Sequence, residues 1–257
     1  MNILFIGYGD LGSRLASISK DDLVITGISR SLKPRVVPDQ YHSLDWSKNS
    51  AQKIDLLKNY DCLIITLTPT SFDEAGYEKG YEEGMKLISK LVKNISFRKS
   101  LLISSTRVYQ DSEEPINELS NINLEDFRSK SLLESEAIYS NEINSSQKTI
   151  FRLSGLYDPE MKDKIFYKQV DEFQNKLIPI SSNLNRLNRD QAARIIMNFC
   201  INKTDLLLLN VSEPTVLAQE RFKMLFPEKN FDDFFRIDNL GKQLDISNLL
   251  KSKLLDG

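Results

Sequence analysis

Histidine is almost missing from this chain. Among 257 residues there is one, His42. A histidine-clustered metal site is therefore excluded, and little room is left for zinc. Cysteine is nearly as scarce: Cys62 and Cys200 are the two present. They lie far apart in apolar surroundings, which reads as reduced core thiols and not as a disulfide framework. Charge of either sign is not in surplus. Thirty-four basic residues against 36 acidic leave a formal net charge of −2, so no basic patch points to nucleic acid and no charge block points to a tail. No window approaches the roughly 20 apolar residues needed to span a bilayer. The first residues carry no basic run, and their apolar stretch is broken at Gly7; they read as a strand, not a signal peptide, and a cytoplasmic protein is expected.

What is present is a regular alternation. Short apolar runs, "NILFIG", "DLVITGISR", "QYHSLDW", "DCLIITLTPT", "SLLISSTRVY" and "KTIFRLSGLY", alternate with amphipathic stretches that include "LGSRLASIS", "AQKIDLLKNY", "FDEAGYEKGYEEGMKLISKLVKN" and "LEDFRSKSLLESEAIYSN". The strongest runs are apolar throughout, as strands covered on both faces should be. The pattern predicts an α/β fold of Rossmann type, a doubly wound parallel sheet with helices on both faces, over 1–157. From 158 to 257 the pattern loosens, with a helix at "RDQAARIIMNFC", a strand at "DLLLLNVSE" and a helix at "LAQERFKMLFP". This part is expected to form a small integral substrate lobe with a returning strand and helices.

The first strand runs into "GYGDLG", residues 7–12. A GxGxxG between a strand and a helix, inside the first βαβ unit, is the fingerprint of dinucleotide binding. Gly7 permits the tight turn, Gly9 lets the backbone approach a pyrophosphate, and Gly12 lets the helix pack on the strand. Asp10 and Leu11 complete the cradle, and the helix N-terminus offers N–H groups to phosphate. An NAD-preferring site usually ends its second strand with an acid. Here that strand ends in Ser29, Arg30 and Ser31. A guanidinium suits a 2′-phosphate, so NADP is expected over NAD. Asp45 fits either a place beside the adenine or the N-cap of the next segment. Thr66 and Pro69, in "TLTPT", follow the fourth strand at the mouth where such folds hold ligands.

"GYGDLG", "GISR", "SSTRVY" and "FRLSGLY" together resemble the extended short-chain dehydrogenases/reductases, and within them the NAD-dependent epimerase/dehydratase group. The resemblance covers residues 1 to about 160; later, "LNRDQAARII" resembles a helix start of the group, with Asn188 where a histidine is common. It departs from the group in its glycine spacing, GxGxxG in place of GxxGxxG, which points to an atypical subgroup close to the nucleoside-diphosphate-sugar epimerases. The resemblance implies that Ser105 helps hold the substrate oxygen, with Thr106 beside it. It also implies a tyrosine as proton donor and acceptor, with a lysine four residues later. Lys130 matches the lysine, and it would bind the nicotinamide ribose. The tyrosine's place is taken by Asp126, and none of the nine tyrosines has a lysine four residues on. Arg107 stands where dehydratase members carry an acid, which argues against sugar dehydration.

Two functions compete. One is an NADP(H)-linked oxidoreductase or epimerase acting on a nucleotide sugar or other small carbonyl compound, with Ser105 or Thr106 polarising the oxygen and water or Asp126 relaying the proton. The other is a non-catalytic dinucleotide-binding module that senses redox state or regulates an assembly. Tyr109 fits either the pocket wall or the core, and Arg152 either the core or a substrate anion. A third reading, a two-domain dehydrogenase with an all-helical second half, is argued against by the "DLLLLNV" strand and the "SSTRVY" segment. The resemblance further implies a homodimer through the helices near 75–94 and 126–143.

Overall fold

The computed structural model of the protein describes residues 1–19, 23–45, 56–158, 166, 170 and 177–255. Residues 51–55 of the helix expected across 51–60 and most of 158–176 lie outside them; residues 56–60 are not helical, because Asn59 and Tyr60 already pair in the strand that follows. Among the described residues one sheet dominates. Its strands are β1 (Asn2–Ile6), β2 (Val24–Ser29), β3 (Gln40–Ser43), β4 (Asn59–Thr66), β5 (Ser96–Ser105), β6 (Lys148–Leu153) and β11 (Leu208–Val211). Their spatial order is β11-β6-β5-β4-β1-β2-β3, and every pairing is parallel. The order reverses between β1 and β4, the switch point at which open parallel sheets hold ligands.

Period-two alternation sends successive side chains to opposite faces. Ile3 and Phe5 of β1, with Cys62 and Ile64 of β4, join one core, which α1 (Asp10–Ile18) and α5 (Arg189–Ile201) cover. Leu4 and Ile6, with Leu63 and Ile65, join the other. That core is closed by Met85, Ile88 and Val92 of α3 (Gly84–Val92) and by Tyr139 of α4 (Phe127–Glu142). Cys62 and Cys200 come from opposite sides of the first core. Their sulfurs lie 3.6 Å apart, and both thiols are free and buried.

The long helix read over 72–94 is present with an irregularity inside it. α2 (Glu74–Tyr77) passes into a π-helical turn, Glu78–Glu83, and then into α3. Gly80 in that turn presses on the loop after β4: a Cβ there would stand 2.5 Å from the Thr68 carbonyl oxygen. Wide turns of this kind recur at functional sites. The run "KTIFRLSGLY" divides into β6 and β7 (Gly155–Tyr157), and β7 pairs with β10 (Arg186–Asn188) outside the main sheet.

The lobe is built on paired short strands. β8 (Ile178–Ser181) lies parallel to β13 (Phe235–Asn239), and β9 (Asn183–Leu184) antiparallel to β12 (Val216–Leu217). It has an aromatic core of its own, in which Phe166, Phe231 and Phe235 surround Phe222 of α6 (Ala218–Leu225). β11 and α5, although late in sequence, belong to the sheet body. No helix among the described residues is long and apolar enough to cross a membrane.

Candidate active site

Two cavities meet at the carboxyl end of β5. The first, about 340 Å³, lies over the switch point, lined among others by Gly7, Gly9, Thr66, Tyr81, Leu132 and Arg189. The second, about 570 Å³, lies between the sheet and the lobe, lined among others by Thr106, Arg107, Asn185, Arg186, Phe235 and Lys242. Ser105, Ser154 and Gly155 mark the junction: both serines line both cavities.

The first cavity is made by backbone. Gly7 has φ +82°, and a Cβ there would stand 1.9 Å from the Thr66 carbonyl oxygen. The Thr66 hydroxyl donates to the Gly7 carbonyl at 2.7 Å, and the Gly7 and Tyr8 amides both donate to the Ile28 carbonyl at 2.9 Å. The turn is thus tied to both neighbouring strands. Gly12 serves a purpose that sequence alone hides: its Cβ would meet the buried Tyr8 ring at 2.6 Å. Burial pushes the Tyr8 phenol up to about 12. Gly9 differs from both. A Cβ there meets nothing nearer than the Gly7 carbonyl oxygen, 3.7 Å away. Gly9 is also the N-cap of α1 and has no side chain to occupy the helix's first N–H groups. Open space in front of an uncapped helix N-terminus fits a pyrophosphate. Asp10, in that first turn, does not oppose an anion as a bare carboxylate would. It is bonded to Arg14 (3.1 Å), Arg35 (2.8 Å) and Arg189 (3.4 Å).

At the end of β2 the three expected residues separate by role. The Ser29 hydroxyl accepts from the Ser31 amide at 3.1 Å and lies 2.7 Å from the Tyr41 hydroxyl, which donates to the Ser31 carbonyl. Ser29 and Ser31 therefore brace the strand end. Arg30 is exposed and reaches across to the Thr68 hydroxyl at 3.0 Å, bridging the tips of β2 and β4. Pro69 lies half-buried beside Thr68, against Gly80. Asp45 is half-buried just after β3, and His42 on that strand lines neither cavity.

The three hydroxyls at the end of β5 also diverge. Ser104 points toward α4, donating to Glu136 at 2.5 Å, at the edge of the first cavity. Thr106 is buried, 3.5 Å from the Leu153 carbonyl. Ser105 faces both cavities, and its oxygen accepts from the Arg107 amide at 3.2 Å. Beneath them Arg152 holds Glu136 with two bonds, 3.0 and 2.6 Å, and stacks 4.9 Å over Tyr109. The Tyr109 hydroxyl donates to Asn210 at 2.7 Å. Arg152 and Tyr109 are therefore part of the core.

The register of α4 moves the two residues carried over from the resemblance away from the cavities. Lys130 is exposed, whereas Leu132, about 200° further round the helix, is 2% exposed and lines the first cavity. Four residues before Leu132, on its face, stands Arg128. Asp126 is the N-cap of α4, accepting from the Arg128 amide at 3.1 Å. Neither Asp126 nor Lys130 lines either cavity. Sequence reasoning missed Ser154, Tyr81, Arg189, Arg186 and Lys242. Ser154 lies in "FRLSGLY" and Arg189 in "LNRDQAARII", at positions to which neither motif assigns a role. The Ser154 hydroxyl is buried and has no hydrogen-bond partner among the described residues.

A seven-stranded parallel sheet in Rossmann order, a GxGxxG cradle at its switch point and a lobe closing a second cavity decide the architecture. The chain has the fold of the NAD-dependent epimerases and dehydratases. UDP-glucuronic acid 4-epimerase from Bacillus cereus in complex with NAD superposes with a TM-score of 0.75 at 16% identity, over 98% of this chain and 92% of that one. A Methylobacillus flagellatus protein described as an NAD-dependent epimerase/dehydratase gives 0.71 at 22% identity, over 97% and 90%. A UDP-galactose 4-epimerase gives 0.68 at 15%, over 98% and 92%. No family model matches the sequence, and no curated protein does. The epimerase/dehydratase fold is thus carried by a sequence far from these structures.

Proposed function

We propose that this protein is a nicotinamide-dinucleotide-dependent oxidoreductase or epimerase acting on a small anionic carbonyl compound or nucleotide sugar. The observation that carries this reading is the junction: a backbone cradle suited to a dinucleotide opens, at Ser105 and Ser154, into a second cavity edged by Arg107 and Arg186. A bound nicotinamide supplies hydride transfer. Gly7, Gly9 and the α1 N-terminus would hold the pyrophosphate, and the two serine hydroxyls the substrate oxygen. Arg107 and Arg186 would seat a carboxylate or phosphate of the substrate. The solved relatives include complexes with NAD and with UDP-glucuronic acid, which supports the class of both ligands.

NADP is favoured over NAD here because the position directly after β2 is a guanidinium, Arg30, where an NAD site usually carries an acid. Arg30→Ala should weaken NADPH binding tenfold or more while changing NADH binding less than threefold, measured by nicotinamide fluorescence; equal losses for both cofactors contradict the assignment. Two free, buried thiols fit a reducing, cytoplasmic setting. A homodimer through the outer faces of α3 and α4 belongs to the same reading, and a monomer by sedimentation velocity at micromolar concentration would remove it.

One observation favours a second reading, a dinucleotide-binding module without turnover. The residue that α4 places in the first cavity is Leu132, and the position four residues before it is Arg128, so neither is the tyrosine or lysine that the resemblance implies. Incubation with both oxidised cofactors and a panel of nucleotide sugars separates the two: hydride transfer supports the enzyme, and binding without transfer supports the module.

A further inference from the structure

The second cavity holds one titratable side chain that neither the motifs nor the fold explain. Lys242 lines it together with Ser105 and Arg107. Its position is built by the backbone. Gly241, at φ +73°, passes so close to β8 and β9 that a Cβ would stand 2.7 Å from the Ser181 Cβ and 3.0 Å from the Asn183 carbonyl oxygen. The Asn185 side-chain amide donates to the Lys242 carbonyl at 2.7 Å. On the far side the Ile116 amide donates to the Gln243 carbonyl at 2.8 Å, and the Asp245 amide to the Ile116 carbonyl at 2.8 Å. The segment is therefore pinned between the lobe and the loop after β5.

The side chain is 21% exposed. The charged groups around it are Arg107, Asp111, Asp126 and, across the cavity, Arg186. Asp111 lies 3.7 Å away but is 82% exposed, so solvent weakens its hold. Burial and the Arg107 guanidinium push the Lys242 ammonium below its ordinary value, against Asp111 and Asp126. The arginines stay charged whatever the pH; Lys242 is the cation that can give up a proton. The first cavity is lined by Tyr81, whose phenol burial pushes up to about 12, away from a working base, and by Asp10, which is tied to Arg14, Arg35 and Arg189.

We propose that Lys242 is the acid/base of the reaction, in place of a cavity-facing tyrosine on α4, whose one tyrosine, Tyr139, is buried in the core. The inference rests on the dinucleotide-dependent reading above. In the oxidative direction the neutral amine takes the hydroxyl proton of the substrate alcohol and becomes ammonium. A bound oxidised nicotinamide would accept the hydride from the same carbon, which would leave that carbon as a carbonyl and balance the electrons. In the reverse direction the ammonium returns its proton to the carbonyl oxygen as hydride comes back. Ser105 and Ser154 hold that oxygen.

The experiment uses the full chain with Lys242→Met and Lys242→Ala, in three measurements. Dinucleotide titration comes first. Both variants should bind as wild type does, which also shows that they fold; if wild type binds neither cofactor, the underlying reading fails and the proposal with it. Turnover with the nucleotide-sugar panel comes second. The kcat should fall about 10²–10⁴-fold with KM within threefold, and methylamine should restore part of the rate to Lys242→Ala but not to Lys242→Met. Competitive acetylation of the cofactor-free wild type, read by mass spectrometry against pH, comes third. Lys242 should become reactive at lower pH than the exposed Lys130. Cofactor binding with turnover that survives Lys242→Met within twofold, cofactor binding with no hydride transfer at all, or acetylation of Lys242 and Lys130 at the same pH would each overturn the proposal while leaving the cofactor site standing.

Discussion

The two cavities that share Ser105 are built by opposite means. The glycine side is shaped by main chain: Gly7 pressed onto Thr66, Tyr8 filling the space that Gly12 leaves, and an uncapped helix end. The lobe side is shaped by side chains, Arg107, Arg186 and Lys242, delivered by short strands and turns. A surface made of backbone tolerates almost no change in the residues that form it. A surface made of exposed side chains can change its ligand while the fold stands.

The sharpest way to break this comparison is Gly7→Val. Positive φ and overlap with the Thr66 carbonyl should cost about 4 kcal/mol or more, so that the soluble, folded fraction collapses and cofactor binding is lost. A variant with a wild-type urea midpoint would show that the turn is not backbone-limited. Next in size is the buried ion pair beneath the end of β5. Glu136→Ala leaves the Arg152 guanidinium buried without its carboxylate and frees the Ser104 hydroxyl. Loss of about 3–5 kcal/mol is expected in urea unfolding; a loss below 1 kcal/mol would mean that the pair is not holding β5, β6 and α4 together. The smallest effect is in the response to alkali. Tyr8 and Tyr81 have folded-state phenols at about 12, above their ordinary 10. Their stabilisation is complete below pH 10 and is lost as pH rises toward 12, because the unfolded chain ionises first. Urea midpoints should be flat from pH 8 to 9.5 and fall above 10, and Tyr8→Phe should reduce the slope. A slope unchanged in Tyr8→Phe would place the alkaline loss elsewhere.

How much of this was legible in the sequence follows the same division. Parallel strands covered on both faces announce themselves as unbroken apolar runs, so β1, β4 and β5 and the order of elements could be read directly. "GYGDLG" could be read because a turn of that shape demands glycine. The seating of Gly12 against Tyr8 could not, since it depends on which way one ring turns. Lys130 stands off the cavity-lining face of α4 for a simple geometric reason: a motif counted along the chain fixes spacing, while the face that meets the cleft is set by packing, and two residues rotate a helix by about 200°. The buried Glu136, bonded to Ser104 and Arg152, marks the true inward face. Arg186 and Lys242 left no readable signal, because they are single cations in irregular stretches and were brought together across 56 residues by strand pairings that no local pattern encodes.

The most direct test of the whole account is a titration of the purified protein with NADPH and NADH, following nicotinamide fluorescence. The account predicts saturable binding at micromolar concentration, tighter for NADPH, and weakened at least tenfold by Gly9→Ala, whose Cβ would enter open space and not the protein. Binding of neither cofactor, or binding that Gly9→Ala leaves untouched, would contradict it.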